Sequence, residues 1–257
     1  LNMELNGKVA LITGGSRGVG RATALALAKH GFAVAINYNQ SRKEAEETAE
    51  AARSLDVKAI CIQADVSSDS ACRSMVEQTV REAGRLDILV NNGGTTQFIS
   101  HSDLDKAEEP VWDRLFGVNV KGPFFCTRAA RPHLEASGDG NVINLASVAG
   151  ITGMGSSIPY CASKAAVINL TISMARVLAP KVRVNAVAPG FIAGKWTQDG
   201  LGPHYESGKQ AAEARAVLGK VCLPEDVAAA ILGLITGSRL VTGQTGVCGG
   251  GGLIGPK

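Results

Sequence analysis

The chain has 257 residues, of which 45% are hydrophobic and 19% charged, and its formal net charge is only +3. Basic and acidic residues are interspersed without a basic stripe, which argues against a nucleic-acid partner. No apolar run in the sequence approaches the roughly 20 residues that a membrane span requires, and the amino terminus lacks a signal-peptide pattern. We therefore expect no membrane association.

The six cysteines and four histidines are scattered along the chain. No C-x-x-C pair or closely spaced histidine pair occurs, so the sequence predicts no zinc or other metal site and no disulfide framework. A reducing, cytoplasmic compartment is expected.

Short β-branched runs alternate with longer alanine-rich amphipathic stretches. The predicted strands are 8–12, 32–38, 57–64, 86–91, 141–145 and 182–187, and the predicted helices are 21–30, 42–54, 70–83, 110–136, 159–178 and 224–236. The strands are apolar on both faces, as a buried parallel sheet requires. This alternation predicts one α/β domain over residues 1–257, a doubly wound parallel sheet with helices on both faces.

Two polar stretches interrupt the alternation. Residues 95–109 are predicted to form a surface loop. Residues 193–219 follow the carboxyl end of the sixth strand, where open α/β sheets bind ligands. We interpret this second stretch as a substrate lid, with a variable surface excursion as the alternative.

A glycine-rich turn follows the first strand and opens the first helix, Thr13-Gly-Gly-Ser-Arg-Gly-Val-Gly20. Backbone amides at a helix start can hold a pyrophosphate against the positive end of the helix dipole, and glycine lets the phosphate approach. The turn therefore predicts a dinucleotide site, with a purely structural turn as the alternative. Its candidate cofactor-binding residues are Gly14, Ser16, Arg17, Gly18, Val19 and Gly20.

The same turn also matches the G-x-S-x-G nucleophile elbow of serine hydrolases, with Ser16 as the nucleophile. A hydrolase needs an earlier strand–helix loop to complete its oxyanion hole, and only a few residues precede this strand. The hydrolase hypothesis is therefore disfavoured.

Tyr160 and Lys164 lie four residues apart in a predicted helix, so their side chains share one face. Ser147 lies thirteen residues earlier, just past a strand. Carbonyl reduction needs a proton donor, and a neighbouring ammonium lowers the pKa of a tyrosine by stabilising its phenolate. Ser147 would hold the carbonyl oxygen beside the phenol. A lone Tyr-x-x-x-Lys is otherwise an ordinary surface pair.

With these motifs in order, the whole chain resembles the short-chain dehydrogenase/reductase family in its single-domain form, and 3-oxoacyl-[acyl-carrier-protein] reductases within it. The matching motifs are the glycine turn, Asp65-Val66, Asn91-Asn-Gly-Gly94, Asn119, Ser147, Tyr160-Cys-Ala-Ser-Lys164 and Pro189-Gly190. The resemblance implies a Rossmann sheet of seven parallel strands and a catalytic tetrad of Asn119, Ser147, Tyr160 and Lys164. In that scheme Tyr160 is the acid/base, Lys164 also binds the nicotinamide ribose, and Asn119 holds a water that relays protons.

The resemblance also implies cofactor contacts outside the glycine turn. Asp65 and Val66 would border the adenine, and Ile192 would meet the carboxamide. The remaining implied contacts are Asn92, Gly93, Tyr160, Lys164, Pro189 and Gly190.

Three glycines depart from the family pattern. Gly93 stands where alanine is usual, Gly194 where threonine is frequent, and Gly249 where aspartate is usual. We interpret these three glycines as changes that adjust the properties of the site without removing catalysis, because the tetrad is intact. A catalytically silent nucleotide-binding relative is the alternative.

The choice of cofactor depends on the end of the second strand. NAD-specific folds place an acidic residue there to hold the ribose 2′-hydroxyl, and residues 35–42 contain none. Arg17 stands where relatives that use NADP often carry a basic residue. We therefore predict NADP(H) as the cofactor, with Asn39 and Arg42 as helpers, and reduction of a ketone or 3-oxo group in a small carbonyl or alcohol substrate. An NAD-dependent alcohol dehydrogenase is the alternative.

Assembly follows from the same resemblance. In relatives, the helices that correspond to those around Asn119 and Tyr160 pair between subunits. In this chain these helices carry more apolar residues than one buried face needs. A homotetramer is expected.

Overall fold

The computed structural model describes residues 6–255, which contain one seven-stranded sheet. The strands are β1 Val9–Ile12, β2 Ala33–Tyr38, β3 Ala59–Gln63, β4 Ile88–Asn91, β5 Gly140–Leu145, β6 Val182–Pro189 and β7 Thr245–Cys248. Their order is β3-β2-β1-β4-β5-β6-β7, and every neighbouring pair is parallel. The predicted doubly wound parallel sheet is confirmed, together with the seventh strand that the resemblance implied.

Helices cover both faces of this sheet. They are α1 Gly18–Ala28, α2 Arg42–Arg53, α3 Asp69–Ala83, α4 Glu109–Phe116, α5 Gly122–Ala136, α6 Ala149–Thr152, α7 Ile158–Leu178, α8 Lys195–Leu201, α9 Tyr205–Arg215 and α10 Pro224–Thr236. Successive strand residues point to opposite faces, so Ile12 joins the core under α1, α2 and α10, and Leu11 joins the core under α3, α5 and α7. Both are fully buried, which explains why the strands show no polar alternation.

Two predicted segments differ from the structure. The helix predicted over residues 110–136 is interrupted by a π-helical turn, Gly117–Lys121, between α4 and α5. The stretch 193–219, predicted without secondary structure, contains α8, a short 3-10 turn and α9. The prediction of a loop for 95–109 is confirmed as far as Glu108, because α4 begins at Glu109.

Helix α7 corrects the expectation about apolar runs. It has 21 residues, and by length and composition it is long and apolar enough to cross a membrane. In this fold α7 instead packs against β6 and α4 and buries Lys164 and Thr171. These contacts account for part of its apolar composition, whereas Ile172 and Val177 on the same helix are exposed.

The strand order places the candidate site. β1 lies between β2 and β4, so the chain winds in opposite directions from β1, and ligands of open α/β sheets bind outside the carboxyl ends of the strands at such a point. The glycine turn follows β1 and the Asn92-Gly93 pair follows β4, so both motifs lie at this crevice.

Candidate active site

The glycine turn is held at the crevice by side chains from the neighbouring strands. The Asn92 side-chain amide donates to the Thr13 and Gly14 carbonyls at 2.9 Å each, and the Gly93 N–H donates to Thr13 Oγ1 at 2.9 Å. A Cβ on Gly20 would overlap the Gly14 carbonyl oxygen, so this position requires glycine. The turn therefore enters α1 with its backbone pressed against β4.

Asn37, at the end of β2, anchors the same turn from the other side. It is 2% exposed. Its Oδ1 accepts a hydrogen bond from the Gly14 N–H at 3.2 Å, and its amide donates toward the carbonyls of Ile62 and Ala64 at 3.3 and 3.0 Å. Sequence analysis did not identify Asn37, because its partners lie more than twenty residues away on either side.

The polar residues predicted to face a nucleotide lie at the surface of this crevice. Arg17 precedes α1 and is exposed, and among residues 6–255 it forms no ion pair. Asn39 and Arg42 are exposed at the end of β2 and the start of α2. Asp65 follows β3, where its carboxylate accepts hydrogen bonds from the Ser67 N–H and hydroxyl. Val66 beside it is buried.

The structure brings Tyr160, Lys164 and Ser147 together past the end of β5. Tyr160 and Lys164 lie one turn apart on α7, and Lys164 Nζ is 5.7 Å from the centre of the Tyr160 ring. Lys164 Nζ donates to the Leu145 carbonyl at 2.7 Å, which fixes the ammonium at the strand end. Ser147 lies two residues beyond Leu145 and accepts a hydrogen bond from the Ala149 N–H.

Asn119 lies in the π-helical turn and connects this group to the loop after β4. Its Oδ1 accepts from the Thr95 N–H at 2.8 Å, and its amide donates to the Thr95 carbonyl at 2.9 Å. The amide also donates to Ser163 Oγ at 3.0 Å, and Ser163 donates to the Tyr160 carbonyl at 2.8 Å. A Cβ on Gly94 would lie 3.4 Å from Asn119 Oδ1 and 3.7 Å from Lys164 Nζ, so these two side chains face one small space beside Gly94.

Burial dominates the electrostatics of the pair on α7. It raises the pKa of Tyr160 to about 12, and an interaction with the Ser147 hydroxyl acts in the opposite direction. Burial also lowers the pKa of Lys164 to about 8. Both shifts follow from the loss of hydration on burial, which disfavours the charged form of each group. The expected lowering of the Tyr160 pKa by Lys164 stays a prediction.

The segment after β6 closes the far side of the crevice. The Pro189 carbonyl accepts from the Val148 N–H at 3.0 Å, and the Gly190 N–H donates to the Cys248 carbonyl at 2.8 Å. Ile192 pairs with Cys222, and its carbonyl accepts from Thr197 Oγ1 at 2.7 Å. These contacts direct the chain from β6 into α8.

The three departing glycines have different surroundings in the structure. A Cβ on Gly93 would lie 3.2 Å from Thr13 Oγ1, so alanine there would require a small shift. A Cβ on Gly194 would meet no atom within 4 Å, and one on Gly249 would be 3.4 Å from the Gly190 backbone.

Comparison with known proteins identifies the family. The family model for short chain dehydrogenases matches residues 8–200. The chain belongs to the short-chain dehydrogenase family. It is therefore an oxidoreductase by descent, and the serine hydrolase hypothesis is withdrawn.

Among its relatives in this family are proteins named as ketone reductases. The chain is 42% identical over 245 residues, 95% of each chain, to a protein named as ketoacyl reductase 2 of the granaticin polyketide synthase of Streptomyces violaceoruber. It is 42% identical over 191 residues to a 3-oxoacyl-[acyl-carrier-protein] reductase of Staphylococcus aureus, covering 74% of this chain and 76% of the relative. The resemblance to 3-oxoacyl reductases is confirmed.

Solved structures of similar short-chain dehydrogenases hold either nicotinamide cofactor. A short chain dehydrogenase from Burkholderia cenocepacia in complex with NADP has a TM-score of 0.88 and 34% identity, with 98% of this chain and 100% of that chain covered. An NAD+-bound xylitol dehydrogenase has a TM-score of 0.88 and 28% identity, with 97% and 100% covered. A nicotinamide cofactor thus follows from the family, whereas the choice between the two forms does not.

Proposed function

We propose that this protein is an NADPH-dependent reductase that converts a ketone or 3-oxo group into a secondary alcohol, reversibly. The observation that carries the proposal is the convergence of Tyr160, Lys164, Ser147 and Asn119 at the carboxyl edge of the sheet, beside the glycine turn. A proton donor, a hydroxyl and an ammonium within one small volume are the groups that carbonyl reduction needs.

The roles of these residues follow from their positions. The nicotinamide supplies the hydride when it is bound. Tyr160 donates its hydroxyl proton to the carbonyl oxygen, and Ser147 holds that oxygen by a hydrogen bond. Lys164, which is mostly charged at neutral pH because its pKa is about 8, stabilises the phenolate and binds the ribose. Burial keeps Tyr160 protonated, which is the form that donates a proton to a carbonyl oxygen.

Proton resupply is assigned to the backbone of Asn119. Its side-chain amide is already engaged with Thr95 and Ser163. The Asn119 backbone carbonyl lies in the π-helical turn, where the regular α-helical hydrogen bonds are interrupted, and Pro123 has no N–H to offer it. We assign the relay water near Lys164 to this carbonyl.

The residues present fit a dinucleotide. The helix start at Gly18-Val19-Gly20 offers backbone amides to the pyrophosphate, and the exposed Arg17 guanidinium suits a 2′-phosphate. Residues 35–42 at the end of β2 contain no acid that would repel that phosphate. The further proposed contacts are Gly14, Ser16, Asn39, Asp65, Val66, Asn92, Gly93, Pro189, Gly190 and Ile192.

The test of cofactor choice is kcat/KM with NADPH and with NADH. A hydrogen bond to a charged group contributes about 1.5–3 kcal/mol, roughly 10- to 150-fold in binding. We expect an NADPH preference of that order, largely lost in Arg17→Ala and retained in Lys29→Ala, which removes an exposed charge at the far end of α1. Equal values for both cofactors in the unaltered protein would favour the NAD-dependent alternative.

The test of the catalytic assignment is Tyr160→Phe, which removes the proton donor but little volume. Turnover of a ketone panel that includes acetoacetyl thioesters should fall by roughly 10²- to 10⁴-fold, with NADPH affinity unchanged. Tyr38→Phe, in buried β2, is the matched control. Near-wild-type turnover in Tyr160→Phe would remove the assignment, and no turnover of any ketone by the wild type would favour a catalytically silent protein.

We further propose that residues 193–219 act as a substrate lid on one catalytic domain in a cytoplasmic homotetramer. Support for the lid comes from α8, whose Gly200 lies against the Phe98 ring of the loop after β4. Support for assembly comes from the apolar side chains that α5 and α7 expose, Phe124, Ile172 and Val177. Light scattering at micromolar concentration tests the tetramer, and a monomer would refute it.

A further inference from the structure

Cys222 and Cys248 form a pair of thiols that the proposed reaction does not use. Their Sγ atoms are 3.9 Å apart, and the Cys222 thiol donates to the Cys248 carbonyl at 3.0 Å. Cys222 is 4% exposed, whereas Cys248 is partly exposed at the end of β7. One sulfur can therefore be reached from solvent and the other lies directly behind it.

Both cysteines are hydrogen-bonded to the segment after β6. The Gly190 N–H donates to the Cys248 carbonyl at 2.8 Å. The Cys222 N–H donates to the Phe191 carbonyl at 2.9 Å, and the Ala193 N–H donates to the Cys222 carbonyl at 2.8 Å. The backbone of residues 190–193 is therefore hydrogen-bonded to both cysteines.

We propose that Cys222 and Cys248 are a redox modification site that closes to an intramolecular disulfide on reaction with a small-molecule disulfide such as oxidised glutathione. The Cys248 thiolate attacks one sulfur of the external disulfide, which releases one thiol and leaves a mixed disulfide on Cys248. Cys222 then attacks the Cys248 sulfur and displaces the second thiol. The protein loses two protons and two electrons, and the external disulfide is reduced to two thiols.

Exposure sets the order of these steps. Cys248 is the sulfur that solvent reaches, and access together with thiolate character decides which cysteine reacts first. Burial raises the pKa of Cys222 to about 12, and the neighbouring Cys248 adds to the rise. Cys222 is therefore a poor first nucleophile, and ring closure should become faster as the pH rises.

A second thiol pair provides an internal comparison. The Sγ atoms of Cys72 and Cys126 are closer, at 3.5 Å, but both residues are fully buried. Neither sulfur can meet an external disulfide while the protein is folded, so this pair should stay reduced. Cys61 is partly exposed, and its sulfur contacts no other cysteine among residues 6–255. Among the six cysteines, all of which lie within residues 6–255, only the pair at Cys222 and Cys248 combines proximity with access.

Closure should lower reductase activity, a consequence that rests on the proposed function. The two sulfurs must approach from 3.9 Å to about 2 Å. That displacement moves the backbone on both sides of Ile192, which we have assigned to the nicotinamide carboxamide. Turnover with NADPH should fall at least several-fold and return when dithiothreitol reduces the bond.

The chemistry is tested without any activity measurement. The folded protein is incubated with oxidised glutathione at pH 8, its remaining thiols are alkylated, and its peptides are identified by mass spectrometry. We expect a cross-link between Cys222 and Cys248, with Cys72 and Cys126 alkylated only after unfolding. Cys222→Ser should stop at a glutathione adduct on Cys248, and Cys61→Ser should behave as the wild type.

Two results would overturn the proposal. One is the absence of the cross-link in the wild type, and the other is a Cys222→Ser protein that carries no adduct at Cys248. A cross-linked enzyme with unchanged turnover would refute the coupling to residues 190–193. A cross-link in a protein that reduces no ketone would leave the redox site standing and reject the proposed function instead.

Discussion

Replacing Asn37 by alanine should destabilise the protein, because the Asn37 side chain holds the glycine turn against β2 and β3. The Asn37 amide joins three parts of the sheet, because it accepts from the Gly14 N–H and donates to the carbonyls of Ile62 and Ala64. Alanine would leave these three backbone groups without their partner in a region that water hardly reaches, since Asn37 is 2% exposed. The substitution also removes volume between β2 and β3.

The expected loss follows from these contacts. Three hydrogen bonds at about 1 kcal/mol each amount to about 3 kcal/mol. In a chain of this length, 1 kcal/mol corresponds to roughly 2–4 °C in Tm. The Tm of Asn37→Ala should therefore fall by about 6–12 °C.

The assay is thermal unfolding followed by circular dichroism, at equal protein concentration and without cofactor. Asn39→Ala is the matched control, because the same amide is removed two residues further along the chain where it is exposed. Its Tm should change little, since surface substitutions usually stay within about 0.5 kcal/mol, while its NADPH affinity falls. An Asn37→Ala protein that unfolds at the wild-type temperature would refute the claim that the hydrogen bonds of this amide stabilise the glycine turn.

Two further predictions concern Lys164 and the lid. Because the pKa of buried Lys164 is about 8 rather than 10.5, the unfolded chain binds more protons between these pH values, and stability should rise with pH through that window. In urea unfolding, Lys164→Met should abolish this rise and increase the free energy of unfolding by at most about 3 kcal/mol at pH 7. A rise that persists in Lys164→Met would contradict the argument from burial. A Cβ on Gly200 would overlap the Phe98 ring, so Gly200→Ala should raise the KM for ketones and leave NADPH affinity unchanged. Gly233→Ala, where a Cβ meets no atom within 4 Å, is the control, and an unaltered KM in Gly200→Ala would reject the contact.

The sheet and the main motifs were predictable because their signals are local. Six of the strands are short runs rich in β-branched residues, and their predicted bounds differ from the observed ones by no more than a few residues. The seventh strand is implied only by the family resemblance. The glycine turn and the Tyr160–Lys164 spacing can be read within one turn and one helix. Even Ser147, thirteen residues before Tyr160, is placed by the end of a single strand.

The features that sequence analysis missed depend on distant partners. Asn37 has the appearance of an ordinary strand residue, and only the folded sheet brings Gly14 and Ala64 to its amide. Helix α9 lacks a clear apolar period and is held in part by the contact between the Phe191 and Tyr205 rings, whose centroids are 6.0 Å apart. The raised pKa of Tyr160 reflects burial by the whole site, which no spacing of residues reveals.

The π-helical turn constrains the length of the chain around Asn119. Each residue of an α-helix advances by about 100°, so Leu115 and Cys126, eleven positions apart, would share one face of a straight helix. The additional residue of the π turn rotates them apart, and Leu115 packs with the cluster beside Tyr160 while Cys126 packs under the sheet. Deleting one residue from 117–121 would restore the straight helix and misdirect one of its two halves. This segment therefore cannot accept an insertion or a deletion.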